Sequence, residues 1–345
     1  MRPSSLRVQA GPDAFARLSQ HGLCPDDISL MLGASGGPKW FVLYGLDRYL
    51  AGEFFHGRQH SLQLLGSSAG AWRFGCLSQQ NPVAAIDRFA NAYSTLCYPK
   101  DAGIDLITSI SATVMDAIYP TDAEVDQVLH NPVVKLNLLV ARQHQPHQPK
   151  PSQQLTHLLL AAGANLLSPK LLHKFYQRVV FSAPGQPSLF SQVPHERQTL
   201  TRETLRPALM ASGSIPLVMH PVLNPAGLPQ GAYLDGGILD YHISLPLDTD
   251  GLILYPHFYP YLVPGWFDKS LKWRRSRGQL LSKTVLLSPS DAWVKSLSLQ
   301  KIPDRKDFSQ LTDAKRLSYW AEVLEKSQQL AEDLKQGHYQ LEPLR

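Results

Sequence analysis

An α/β fold, with a mostly parallel central sheet and helices on both faces, is the architecture this sequence predicts, and three observations carry it. Short continuous apolar runs, such as Ile28 to Leu32 and Leu62 to Leu65, have the length of strands buried on both sides. Between them, apolar residues recur at helical spacing. The chain has 345 residues, of which 43% are apolar and 18% charged, so it can bury a large core and is too weakly charged to be disordered.

The elements follow in order. After the strand Ile28 to Leu32 and a glycine-rich turn, Phe41, Val42, Leu46, Tyr49 and Leu50 predict a helix that Gly52 ends. The strand Leu62 to Leu65 runs into Gly66-Ser67-Ser68-Ala69-Gly70, and a helix beginning near Ala69 carries Trp72, Arg73 and Cys76. Pro82 opens another helix, with Val83, Ile86, Phe89, Ala90 and Tyr93 on one face. Thr121 and Glu124 form a capping-box pattern ahead of Val125, Val128 and Leu129. Val134 to Ala141 reads as a strand, and the proline-punctuated polar stretch Gln143 to Gln154 as an exposed loop. Val179 to Ser182, Leu252 to Tyr255 and Thr284 to Leu287 are further strands, and Asp313 to Leu334 is one long amphipathic helix.

Charge is unevenly placed. Residues 261–345 hold 15 Lys or Arg and 10 Asp or Glu, so the whole excess of +5 lies there. That density is too low for a nucleic-acid footprint. It is concentrated in Lys269, Lys272, Arg274, Arg275, Arg277 and Lys283 around Trp273, a composition that predicts peripheral contact with an anionic membrane surface through Lys269–Lys283. Cys24, Cys76 and Cys97 lack metal-ligand spacing and are expected to be buried thiols in a reducing compartment. The N-terminal MRPSSLRVQAGPDAF lacks the apolar run of roughly 7 to 15 residues of a secretory signal. The apolar run Leu158 to Leu167 is shorter than the roughly 20 residues of a membrane span. The expected location is cytoplasmic, with peripheral membrane contact.

Three motifs carry chemistry. Gly66-x-Ser68-x-Gly70 matches a nucleophile elbow, where a serine occupies a tight strand-to-helix turn and flanking backbone leaves no room for a Cβ. Gly33-Ala34-Ser35-Gly36-Gly37-Pro38-Lys39 follows a buried strand and can present backbone N–H groups to an oxyanion. Its spacing fits neither G-x-x-x-x-G-K-[ST] nor G-x-G-x-x-G, so no nucleotide is expected. Tyr233-Leu234-Asp235-Gly236-Gly237 places an aspartate at the end of a short strand.

Together these motifs, with Ala211-Ser212-Gly213-Ser214-Ile215-Pro216, resemble the patatin-like phospholipase family over roughly Ile28 to Leu247. The resemblance implies a patatin-like three-layer α/β fold; the expected organisation is a catalytic domain over residues 1–260, with a basic extension, 261–345, that carries the long helix and packs on the same domain. The resemblance also implies a hydrolase of lipid or fatty-acyl esters in which Ser68 is the nucleophile and Asp235 its base, with Gly36, Gly37 and Lys39 forming the oxyanion hole and Gly66 and Gly70 the elbow. No metal or other cofactor is expected. The family's loop commonly reads G-G-G-x-[RK]-G. Here Ser35 replaces the first glycine and Trp40 the last, Pro38 has no N–H to donate, and Trp40 is expected to narrow the acyl pocket. Two alternatives stand beside this reading. One is an α/β-hydrolase triad using Ser68, His242 or His257, and Asp235 or Asp240; the other is a non-catalytic lipid-binding protein of the same fold.

Overall fold

A computed structural model describes residues 3–99, 101–143, 151–276 and 281–344; residues 144–150 of the predicted loop and Arg277 of the basic segment lie outside them. The strands are β1 (Leu6–Ala10), β2 (Ile28–Gly33), β3 (Leu62–Ser67), β4 (Val134–Gln143), β5 (Tyr176–Ser182), β6 (Glu196–Thr199), β7 (Val222–Leu223), β8 (Ala232–Asp235), β9 (Leu252–Pro256), β10 (Thr284–Pro289) and β11 (Leu341–Pro343). The helices are α1 (Pro12–His21), α2 (Tyr44–Tyr49), α3 (Ala69–Leu77), α4 (Pro82–Ser94), α5 (Ile104–Ile118), α6 (Asp122–Leu129), α7 (Pro151–Leu167), α8 (Leu205–Gly213), α9 (Asp291–Ser296), α10 (Asp307–Gln310), α11 (Asp313–Lys326) and α12 (Gln328–Lys335).

The described strands form a single sheet in the order β11-β1-β10-β9-β2-β3-β4-β5-β6, with β8 paired to β4 and β7 to β8 off this path. Its centre, β10-β9-β2-β3-β4, is parallel throughout, and helices cover both sides. The central strands are buried along almost their whole length, which is why they read as continuous apolar runs rather than alternating ones. Residues beyond 260 contribute β10 and β11 to this sheet, and α12 packs against α2 and β1.

One feature of register positions the site. Along one edge of β4, β3 runs parallel up to the pair Ser67–Leu139, and antiparallel β8 runs in from the other direction to the pair Asp235–Val140. The two strand ends therefore meet head to head at consecutive positions of β4. Residue 68 and residue 235 are brought together by the sheet itself, although 167 positions separate them in the chain.

Several elements differ from the sequence expectation. The helix expected to stop at Gly52 continues as a wide turn to Phe54. α7 begins at Pro151, inside the stretch read as loop, because Pro at a first helical position costs no hydrogen bond. The long C-terminal helix breaks at Ser327, whose hydroxyl accepts the amide of Gly45 and donates to the Leu324 carbonyl. A Cβ at Gly45 would lie 2.5 Å from the Ser327 carbonyl oxygen, so this crossing needs glycine. The three cysteines are free, but only Cys76 is buried and Cys97 is exposed. Among the described residues no helix is long and apolar enough to cross a membrane.

Candidate active site

Ser68 sits at the junction of β3 and α3 with φ 55° and ψ −127°, a left-handed conformation unfavourable for any residue with a Cβ. The surrounding contacts enforce it. The Ser68 amide donates to Ser212 Oγ at 2.9 Å, and that hydroxyl donates in turn to the Leu139 carbonyl at 2.8 Å. Close backbone approach explains the flanking glycines. A Cβ on Gly70 would lie 2.2 Å from the Gly33 carbonyl, and one on Gly66 would lie 2.6 Å from the Ala71 nitrogen.

Ser68 Oγ donates a hydrogen bond of 2.7 Å to Asp235 Oδ2. The other oxygen, Oδ1, accepts the Gly237 amide at 2.7 Å, and the Asp235 amide donates to the Ser214 carbonyl at 2.9 Å. The segment from Ala211 to Pro216 thus braces both residues, Ser212 from one side and Ser214 from the other. Ser68 and Asp235 are 6% and 7% exposed. Burial raises the Asp235 pKa to about 6, against the opposing pull of the Ser68 and Gly237 hydrogen bonds and of the positive charges on Lys269 and Arg305.

The glycine loop lies beside this pair. Ser35 donates from its hydroxyl to Ser67 Oγ at 3.0 Å and from its amide to the Tyr241 carbonyl at 2.9 Å. A Cβ on Gly237 would lie 2.6 Å from Ser35 Oγ, so the two glycine-rich segments are in contact. Gly36 and Gly37 open the helical turn Gly37–Leu43, where the first N–H groups have no intrahelical acceptor. Gly37 has φ +54°. The Lys39 amide donates within the turn to the Gly36 carbonyl at 3.4 Å, while its side chain pairs with Asp304. Trp40 does not narrow the pocket: it is 1% exposed and stacked on Phe89, with ring centroids 4.6 Å apart.

Ser68 and Asp235 line a cavity of about 390 Å³, whose other walls include Ile215, Ile238, Tyr259 and Trp266. Lys39, Lys269, Arg305 and Lys306 also line it, so four cations face two carboxylates, Asp235 and Asp304. Sequence reasoning missed this rim. Lys269 and Arg305 follow the last recognisable motif, and no spacing in the sequence ties them to it. Although much of Lys269 is exposed, its ammonium lies 4.1 Å from the Tyr241 ring centroid and 5.3 Å from that of Trp266. Lost hydration, followed by the like charges of Lys39 and Arg305, pushes its pKa down to about 7.

Neither histidine of the alternative triad is hydrogen-bonded to Ser68. His242 lines the cavity, but its Nδ1 accepts the Val263 amide at 2.9 Å. His257 Nδ1 accepts the Tyr259 amide at 2.9 Å, and burial pushes its pKa down to about 3. Asp240 is held by both Nε and Nη2 of Arg178, at 2.7 and 2.9 Å. No group of three or more His, Cys, Asp or Glu arranged to hold a metal ion occurs among the described residues.

No protein-family model matches the chain, and no curated protein does. Among solved structures it is similar to VipD from Legionella pneumophila, with 11% identity and a TM-score of 0.31 over 74% of this chain and 53% of that one. It is also similar to the type III effector protein ExoU, with 13% identity and a TM-score of 0.28 over 90% of this chain and 53% of that one. The chain spans about half the length of each.

Proposed function

We propose that the protein is a serine hydrolase of lipid or fatty-acyl esters working through a Ser68–Asp235 dyad. The observation that carries this reading is the direct 2.7 Å hydrogen bond from Ser68 Oγ to the Asp235 carboxylate, at a strained turn that opens into a cavity.

In this reading Ser68 Oγ attacks the acyl carbonyl while its proton passes to Asp235 Oδ2, which already accepts it as a hydrogen bond. The tetrahedral oxyanion is held by the amides of Gly36 and Gly37. Lys39 serves that loop by tying it to Asp304. Collapse of the intermediate expels the alcohol, which takes its proton from Asp235 and leaves an acyl-Ser68 ester. Water then attacks this ester, with Asp235 as base again, to release the acid. A free aspartate is a weak base, and burial makes this one more basic, with a pKa of about 6. Gly66 and Gly70 admit the backbone approach that exposes Oγ to the cavity.

The test is hydrolysis of short-chain and long-chain p-nitrophenyl esters with chelator present. Turnover that survives in His242→Ala and disappears in Ser68→Ala supports the dyad, whereas loss in a folded His242→Ala protein supports the triad. The reading also fixes a pH limb. Asp235 acts only when ionised, so kcat/KM should fall tenfold per unit below a pH of about 6 and be flat above it. A limb centred near pH 4 would mean that the base is not buried.

The basic segment Lys269–Lys283 supports peripheral contact with an anionic membrane surface. Each cation near such a surface contributes about 1 kcal/mol, so Lys272→Glu should weaken binding to anionic vesicles more than tenfold. Turnover of a soluble ester should not change. Vesicle binding equal to wild type would remove this contact from the account.

A further inference from the structure

α7 is built inside out. Gln154, Leu158, Ala161 and Asn165 point inward and are buried, so two of its four inner positions are polar. Its outer face carries five leucines: Leu155 is 48% exposed, Leu159 64%, Leu160 61%, Leu166 61% and Leu167 83%. An exposed apolar patch of this kind marks an interaction surface rather than ordinary surface scatter.

The surroundings identify what covers it. No Asp or Glu occurs between Asp126 and Glu196, so α7 and the turn after it contain no acid, while Lys170 and Lys174 just beyond the helix are exposed. The C-terminal half of α7 is tied to the turns around 266–274: Asn165 donates to Asp268 at 2.8 Å, and Arg274 donates both to Asp268 and to the Leu166 carbonyl. Those turns present exposed Lys272 and Trp273, the latter 70% exposed, and Trp266 and Lys269 of the same segment line the catalytic cavity. Leucines flanked by lysines and a tryptophan, with Asp268, the one acid of these turns, buried against Asn165 and Arg274, complement an interface of acyl chains and anionic headgroups. A second copy fits worse. A two-fold contact through this face would bring Lys170, Lys174 and Lys272 of both copies into one interface to which α7 and the turn after it supply no acid.

We propose that the exposed leucine face of α7, with Trp273 and the flanking lysines, is a docking surface for an anionic lipid bilayer, and that docking turns the mouth of the Ser68 cavity toward the lipid. This goes beyond the dyad chemistry and does not depend on it, because docking is read without turnover.

The test uses the full chain carrying Ser68→Ala, floated with vesicles of phosphatidylcholine alone or with about a third phosphatidylglycerol. The parent should float with the mixed vesicles and bind phosphatidylcholine at least about tenfold more weakly. Adding Leu159→Ser, Leu160→Ser and Leu167→Ser should lower binding to the mixed vesicles by at least about tenfold, with the thermal midpoint unchanged. With Ser68 restored, soluble-ester turnover of the triple variant should equal that of wild type. On the folded parent, lipids brominated on the acyl chain should quench Trp273, and Trp273→Phe should remove that quenching. The proposal is overturned by a parent that binds no vesicle, by a triple variant that binds as the parent does, by absence of quenching, or by a parent dimer that the leucine substitutions dissociate.

Discussion

Replacing Asp235 by Asn should lower kcat/KM on a p-nitrophenyl ester by about 10³-fold or more and at the same time make the protein more stable above pH 7. The two effects share one cause. The raised pKa of Asp235, about 6 against an ordinary 3.8, means that the folded state holds a proton the unfolded chain has released. Between those values stability falls as pH rises, because the unfolded chain there binds fewer protons than the native one. Above pH 6 the charged carboxylate therefore costs the fold on the order of 2–3 kcal/mol. Asparagine removes that charge, keeps an oxygen for the Gly237 amide and a nitrogen toward Ser68 Oγ, and accepts no proton. Ser68→Ala should abolish turnover without the same gain, since Asp235 stays charged. Urea unfolding at pH 8 beside ester kinetics checks both. An Asp235→Asn protein that is fully active, or that loses activity together with stability, contradicts the account.

The second large effect lies beneath the elbow. Arg73 on α3 and Asp47 on α2 form a two-pronged pair, Nε to Oδ2 at 2.7 Å and Nη2 to Oδ1 at 2.6 Å, with exposures of 1% and 0%. Burial raises the Asp47 pKa even with the guanidinium beside it. Arg73→Met leaves that carboxylate alone in the core and should cost about 3–5 kcal/mol. The sign of the pH response identifies the cause: the variant should regain stability as pH falls and Asp47 takes up a proton. Arg73→Met combined with Asp47→Asn should recover part of the loss, because no unpaired charge remains. Urea midpoints of the two proteins at two pH values decide it, and a loss under 1 kcal/mol in the single variant would show that the pair is not a structural brace.

Where a residue type was demanded by local geometry, the sequence was legible. Gly33, Gly66 and Gly70 are adjacent because the helix after Ser68 crosses β2 so closely that its backbone touches, and that approach admits no side chain. The Asp235-Gly236-Gly237 turn is equally constrained, since a Cβ on Gly236 would lie 2.3 Å from the Leu139 carbonyl oxygen. The parallel centre of the sheet was readable for the same reason, as strands covered on both faces carry no polar alternation. Short edge strands such as β6 and β11 have no such mark, because each is paired on one side alone and is only partly buried. Nor does the cationic rim. Lys269 and Arg305 reach the cavity through packing of distant chain, and no spacing records that Lys39 pairs with Asp304, 265 positions away. The leucine face of α7 was hidden because an apolar run in a helix reads as core until its orientation is known.

Ser68 as the nucleophile can be tested without knowing the natural ester. Native protein is incubated with a long-chain p-nitrophenyl alkylphosphonate and analysed by intact mass and peptide mapping. A single phosphonyl adduct on Ser68 is expected, absent from Ser68→Ala and greatly slowed in Asp235→Asn. An adduct on another residue, or equal labelling of the Ser68→Ala protein, would contradict it.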